Sequence, residues 1–255
     1  MKDRIFVIPT GVTGEGNDGE MREIRNILIE NKEQVIETAQ SWGASWAGIE
    51  GHFRKKIAAA VAGGKTCYGV ELAGGFGILH VDIDHPAYER DDRSNPKSSL
   101  EQIADLLGVE LDRRQRGIAI NDTQYIHGLI AAGYTPEEIA DIRRLDRCAQ
   151  GVSEEDEITA EAAVSNAMDV NSRYGTIRIV HLTGDKCSPV TDRLFGQADR
   201  ILICCSTGEV DYYGSAKECS ELQAKFGGWT GGGSDNGFWG ISGINSGDVF
   251  DFLLA

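Results

Sequence analysis

The chain has 255 residues with 40 acidic against 25 basic side chains, a formal net charge of −15, and 41% hydrophobic against 25% charged residues. Those proportions suit a globular protein with a real core and argue against disorder. They also argue against duplex nucleic acid as a partner, because that needs a basic stripe to displace counterions. The opening apolar run, Ile5 to Ile8, is too short for a secretory core, and no stretch approaches the ~18 apolar residues of a spanning helix, so a cytoplasmic, non-membrane protein is expected. The six cysteines show no CxxC spacing and are expected to be reduced, buried thiols.

In chain order, the first region alternates strand and helix signals. Strands are predicted over 5–8, 66–72 and 78–84, and helices over 22–40 and 52–61. Gly63 and Gly64 stop the second helix. After a polar stretch over 89–96, Ser98 and Glu101 form a capping box for a helix that Gly108 ends. Thr135, Pro136 and Glu138 start another. Residues 151–163 hold five acids and no base, which suits an exposed connector or a solvated helix start. Beyond it the spacing predicts strands over 176–182, 201–205 and 210–213, helices over 190–198, 216–226 and 248–254, and a glycine-rich loop. The fold class expected is α/β, with two α/β domains: a parallel-rich N-terminal sheet over 1–150, an acidic linker over 151–173, and a smaller mixed-sheet domain over 174–255. A ligand cleft is expected between the domains.

The segment from Gly77 to Pro86 concentrates ligand-type side chains. Alternation along a strand places His80, Asp82 and Asp84 on one face and Leu79, Val81 and Ile83 on the other. His85 follows at the carboxyl end, where open α/β sheets bind ligands. These donors suit Mn²⁺, Mg²⁺ or Zn²⁺. A solvated polar edge of the strand accounts for the same residues. Asp122, within Asn121-Asp122-Thr123, ends an apolar run and needs a cation or donors to stay ionised, although the tripeptide also suits a turn or helix cap. Glu71 closes another apolar strand. Between Phe226 and Gly240 the glycines Gly231, Gly232 and Gly233, with Ser234, can turn backbone N–H groups towards an anion, and Ser215 and Lys217 could add a hydroxyl and a cation. Close-packed connections use the same composition.

The order of these parts resembles the DHH phosphoesterase superfamily with its C-terminal DHHA1 domain. Asp84-His85 looks like the start of the name motif, with Pro86 in the third position. Ser98 and Ser99 match the serine-capped helix after it, Asn121-Asp122-Thr123 resembles the downstream acidic motif, and Glu71 stands where the family has an aspartate. Residues 210–219 followed by 227–240 look like the DHHA1 substrate-binding pattern. The family's first metal motif, a histidine and two aspartates after the first strand, is absent: Glu15 and Asp18 are the acids there. Glu50 and His52 could replace part of it.

The resemblance implies a Mn²⁺- or Mg²⁺-dependent hydrolase of a small phosphorylated or nucleotide substrate. Its catalytic residues would be Asp84, His85 and Asp122, its metal ligands Glu71, Asp82, Asp84, His85 and Asp122, and its substrate contacts Ser215, Lys217, Gly231, Gly232, Gly233 and Ser234. The missing motif leaves a second function open, a catalytically degenerate relative that binds a nucleotide or a protein partner. A metal-dependent enzyme acting on another substrate class is a third. The sequence also leaves a homodimer open.

Overall fold

The computed structural model describes residues 3–11, 14, 16–41, 43–75, 77, 79–84 and 97–254, which form two compact units, Met1–Gly151 and Val152–Ala255. The N-terminal unit is built on a parallel sheet of β1 (Arg4–Pro9), β2 (Val35–Thr38), β3 (Thr66–Val70) and β4 (Val81–Ile83), in the order β2-β1-β3-β4. The two-residue period of β1 divides its side chains between two cores. Phe6 and Ile8 join α1 (Gly19–Glu30), α3 (Ser99–Leu107), α4 (Arg113–Ala131) and α5 (Pro136–Ala149) on one face. Ile5 and Val7 face Trp46, Ile49 and Ile57, of which Ile57 comes from α2 (Gly51–Ala62).

Helix signals in this unit match the structure where chemistry marks their ends. Ser98 accepts from the Glu101 N–H while the Glu101 carboxylate accepts from the Ser98 N–H, and Gly108 closes α3 in the left-handed region. The helix predicted over 22–40 instead ends at Glu30; Lys32 takes φ +56°, and β2 follows. Val35 and Ile36 extend the apolar spacing of α1, and no glycine or proline interrupts it. The polar stretch over 89–96 lies outside the described residues.

The C-terminal unit carries a mixed sheet of β5 (Met168–Ser172), β6 (Gly175–Leu182), β7 (Ile201–Cys205), β8 (Glu209–Gly214), β9 (Trp229–Gly232) and β10 (Gly237–Ser242), ordered β5-β6-β7-β8-β10-β9. Only β6 and β7 pair in parallel. Leu202 and Cys204 face α8 (Ala216–Phe226) and α9 (Ser246–Leu254), whereas Ile201, Ile203 and Cys205 face α6 (Glu154–Ser165) and α7 (Ser188–Leu194). The stretch over 151–173, expected to be a linker, is thus α6 and β5. Ser153 caps α6, the acids of its first turn complement the helix N-terminus, and Ala160 and Ala163 are buried.

The glycine-rich stretch is a β-hairpin rather than a loop. A Cβ at Gly231 would lie 2.7 Å from the Phe238 ring, and one at Gly232, which has φ +88°, would lie 2.3 Å from the Asn236 carbonyl oxygen. These glycines let an aromatic ring and the turn backbone close over the strand. No described helix is long and apolar enough to cross a membrane.

In the N-terminal unit, Trp46 packs closely against β3 at Gly69, where a Cβ would fall 2.2 Å from Trp46 Cζ2. Gly69→Ala is therefore expected to cost roughly 1–3 kcal/mol of overpacking. Urea unfolding checks this, and an unchanged midpoint would contradict the packing assignment.

Candidate metal centre

The carboxylates of Glu20, Glu71 and Asp122 converge in the N-terminal unit, each offering an oxygen within 4.8 Å of the others. Glu20 lies in the first turn of α1, whose start is fixed by Asp18, the N-cap that accepts from the Met21 N–H. Its Oε1 accepts from the Leu100 N–H at 3.0 Å, near the start of α3. Its Oε2 is buried with no hydrogen bond among the described residues, and so is Ser99 Oγ.

Glu71 follows β3 directly. Its N–H continues the ladder to the Ile83 carbonyl at 2.8 Å, and its φ of +51° swings the chain out of the strand. Positive φ is uncommon for a residue with a Cβ.

Asp122 sits within α4, not at a turn or cap. The helix is broken just beyond it at Tyr125, with φ 57° and ψ −157°. A non-glycine residue there costs ~1–3 kcal/mol and persists only where the surroundings fix it. They do so here. Arg143 of α5 is buried, its guanidinium carbon lies 4.6 Å from the Tyr125 ring centroid, and its Nη1 donates to Asn121 Oδ1 at 3.1 Å and Asp146 Oδ2 at 2.6 Å. Asp146 Oδ1 accepts from the Gly19 N–H at 2.9 Å, so one ion pair joins the start of α1 to the break in α4. The helices that carry Glu20 and Asp122 are fastened together through α5.

Three carboxylates in one small volume resist simultaneous ionisation. Burial pushes the Glu20 carboxyl well above the ordinary range, and the charges of Asp122 and Glu71 push it further. The Ser98 and Leu100 contacts act the other way without cancelling it.

The other sequence-derived positions lie elsewhere. Asp82 and His80 do share a face, with His80 Nε2 3.2 Å from Asp82 Oδ1, but that face is Trp46's: Trp46 Nε1 donates to Asp82 Oδ1 at 3.4 Å and the His80 ring lies 4.4 Å away. Asp84, whose carbonyl accepts from Gln102 Nε2, is not among the three converging acids. His85 and Glu15 lie outside the described residues. Glu50 and His52 pair with each other at 3.2 Å on an exposed surface. Ser215 caps α8 by accepting from the Glu218 N–H, Lys217 is exposed on that helix, Gly231 and Gly232 are in β9, and the Ser234 carbonyl accepts from the Ala216 N–H. Glu20 is absent from the sequence-derived set because the helix predicted over 22–40 leaves it in the preceding stretch, whereas α1 begins at Gly19 and carries it in the first turn.

No protein-family model and no curated protein matches this chain. Among solved structures, an exopolyphosphatase-related protein from Bacteroides fragilis matches 98% of this chain and 90% of its own, with a TM-score of 0.50 and 13% identity. RecJ from Thermus thermophilus, crystallised with Mn²⁺, aligns with 98% of this chain and 51% of its own at a TM-score of 0.44 and 10% identity. At such identities the likeness is one of fold alone, the fold shared with the exopolyphosphatase-related protein.

The raised Glu20 carboxyl sets a pH dependence. The folded chain keeps this proton where the unfolded chain, with an ordinary glutamate near ~4.3, has lost it, so metal-free stability falls as pH rises through the interval between the two values. Glu20→Gln removes that difference and should make the slope above about pH 5 shallower by up to ~1.4 kcal/mol per pH unit. Urea unfolding of chelator-treated protein checks this; parallel slopes for the two proteins would contradict it.

Proposed function

We propose that Glu20, Glu71 and Asp122 hold one hard divalent cation, Mn²⁺ or Mg²⁺, and that the chain binds a small phosphorylated ligand of the nucleotide class there without hydrolysing it. The donor set supports one such ion, being three carboxylates whose oxygens lie within 4.8 Å of one another, with the Glu20 Oε2 buried and lacking a hydrogen bond among the described residues. A divalent cation supplies positive charge there for a phosphate oxygen. The protein's own part is to hold the acids in place: Leu100 N–H orients Glu20, and Arg143 with Asp146 locks the α1 and α4 backbones. In the C-terminal unit, the Ser215 hydroxyl is engaged in its helix cap and Lys217 is exposed on the same helix.

The observation that carries this reading is the size of the donor set among the described residues, where three acids converge. A two-metal phosphoryl centre needs ligands for two ions ~3.5–4 Å apart, whereas Asp82 is engaged with Trp46 and His80, and Asp84 is not among the converging acids. Hydrolysis is the second reading, favoured by one feature. A carboxyl raised by burial, as Glu20 is, keeps its proton to higher pH than an ordinary glutamate and could give it to a leaving group. That chemistry would also require Asp84 and His85.

Calorimetric titration of chelator-treated protein with Mn²⁺, and then with a nucleotide panel, tests the proposal. One equivalent of Mn²⁺ should bind, nucleotide binding should require it, and the nucleotide should be recovered intact. Glu20→Gln and Asp122→Asn should each weaken Mn²⁺ binding at least about tenfold, as expected for loss of one charged ligand from three. Mn²⁺-dependent turnover abolished by either substitution would establish hydrolysis instead; nucleotide binding without metal would overturn the cation-mediated site.

A further inference from the structure

The C-terminal unit contains a second convergence of ligand-type side chains. Cys187 immediately precedes α7, Cys205 ends β7, and Asp211 lies in β8, in register with Ile203. Cys187 Sγ lies 3.5 Å from Cys205 Sγ and donates to Asp211 Oδ2 at 3.2 Å. Cys205 and Asp211 are buried and Cys187 is half-buried. Room for the carboxylate is made on β10, where a Cβ on Gly240 would lie 2.6 Å from Asp211 Oδ1.

This group does not contribute to core packing in the ordinary way. A carboxylate on the inner face of a sheet, beside Ile203 and the apolar side chains of α6 and α7, loses its hydration for little return. Burial pushes Asp211 up to about 7, and the Cys205 contact together with burial pushes the Cys187 thiol up. A cation would reverse that balance for all three groups.

We propose that Cys187, Cys205 and Asp211 form a site for a thiophilic divalent cation of the zinc class, with its fourth position open on the Cys187 side. A tetrahedral ion with ~2.3 Å bonds to sulfur and ~2.0 Å to oxygen separates two sulfurs by ~3.8 Å and a sulfur from an oxygen by ~3.5 Å. The observed 3.5 and 3.2 Å lie within a few tenths of an ångström of those spacings. Binding releases the thiol protons to solvent and ties the start of α7 to two neighbouring strands. A disulfide, which needs its sulfurs ~2.05 Å apart, would leave the buried carboxylate beside them with no task. Two soft sulfur donors distinguish this site from the all-oxygen centre in the N-terminal unit.

Co²⁺ titration of the reduced, chelator-stripped full chain tests the assignment. One equivalent should give a near-ultraviolet sulfur-to-cobalt charge-transfer band that Glu20→Gln retains and Cys187→Ser abolishes. Zn²⁺ alone should raise the unfolding temperature of the parent chain and not that of Cys187→Ser, whose fold is checked by circular dichroism. Should Cys187→Ser not fold, Asp211→Asn takes its place, and a band of reduced intensity and weaker Co²⁺ affinity is expected. A reduced chain with no thiolate band, a band that survives Cys187→Ser, or recovery of a Cys187–Cys205 disulfide with no metal uptake after reduction would each overturn it.

Discussion

Mutual repulsion among three carboxylates is the constraint around which the N-terminal unit is organised. Glu20, Glu71 and Asp122 come from three separate elements, and left to themselves they would move apart into water. Each is placed by the backbone that carries it. Glu20 is carried in the first turn of α1, Glu71 hangs on a ladder hydrogen bond to Ile83, and Asp122 precedes a break in α4. The parallel sheet brings the first two together, since β1 and β3 are neighbours and their carboxyl ends lie on the same side.

The break at Tyr125 shows how the remaining structure sustains such an arrangement. Its backbone conformation is unfavourable in isolation, yet the buried Arg143 lies against its ring and bonds to Asn121 and Asp146. Asp146 in turn bonds to the amide that opens α1. The break also needs Gly128, where a Cβ would lie 2.4 Å from Gln124 Cβ. A buried ion pair is weak evidence of net stability, but removing one partner leaves a costly uncompensated charge. Its value here is positional, because it couples the two helices that carry acids of the group.

Much of the architecture can be read from the sequence where local chemistry and tertiary packing agree. The capping boxes of α3 and α5 and the strand runs of β1, β6 and β7 are of this kind. Expectations depart from the structure where tertiary contacts override composition. Glycines depress strand propensity, so β9 and β10 look like a loop until Phe238 covers Gly231. Asp82 and His80 alternate as expected, but the face they share is set by Trp46 packing on Gly69, a contact that spacing cannot reveal. Asp122 and Glu71 were legible as acids ending apolar runs; Glu20 was not, since its partners lie far along the chain.

The single shared cation proposed for the N-terminal unit would explain why unfavourable conformations and like charges are kept together there. Anomalous diffraction at the manganese absorption edge, from crystals grown with Mn²⁺, tests this most directly. One peak is expected, within bonding distance of oxygens from Glu20, Glu71 and Asp122. No peak there, or a pair ~3.5–4 Å apart as in a two-metal centre, would contradict it.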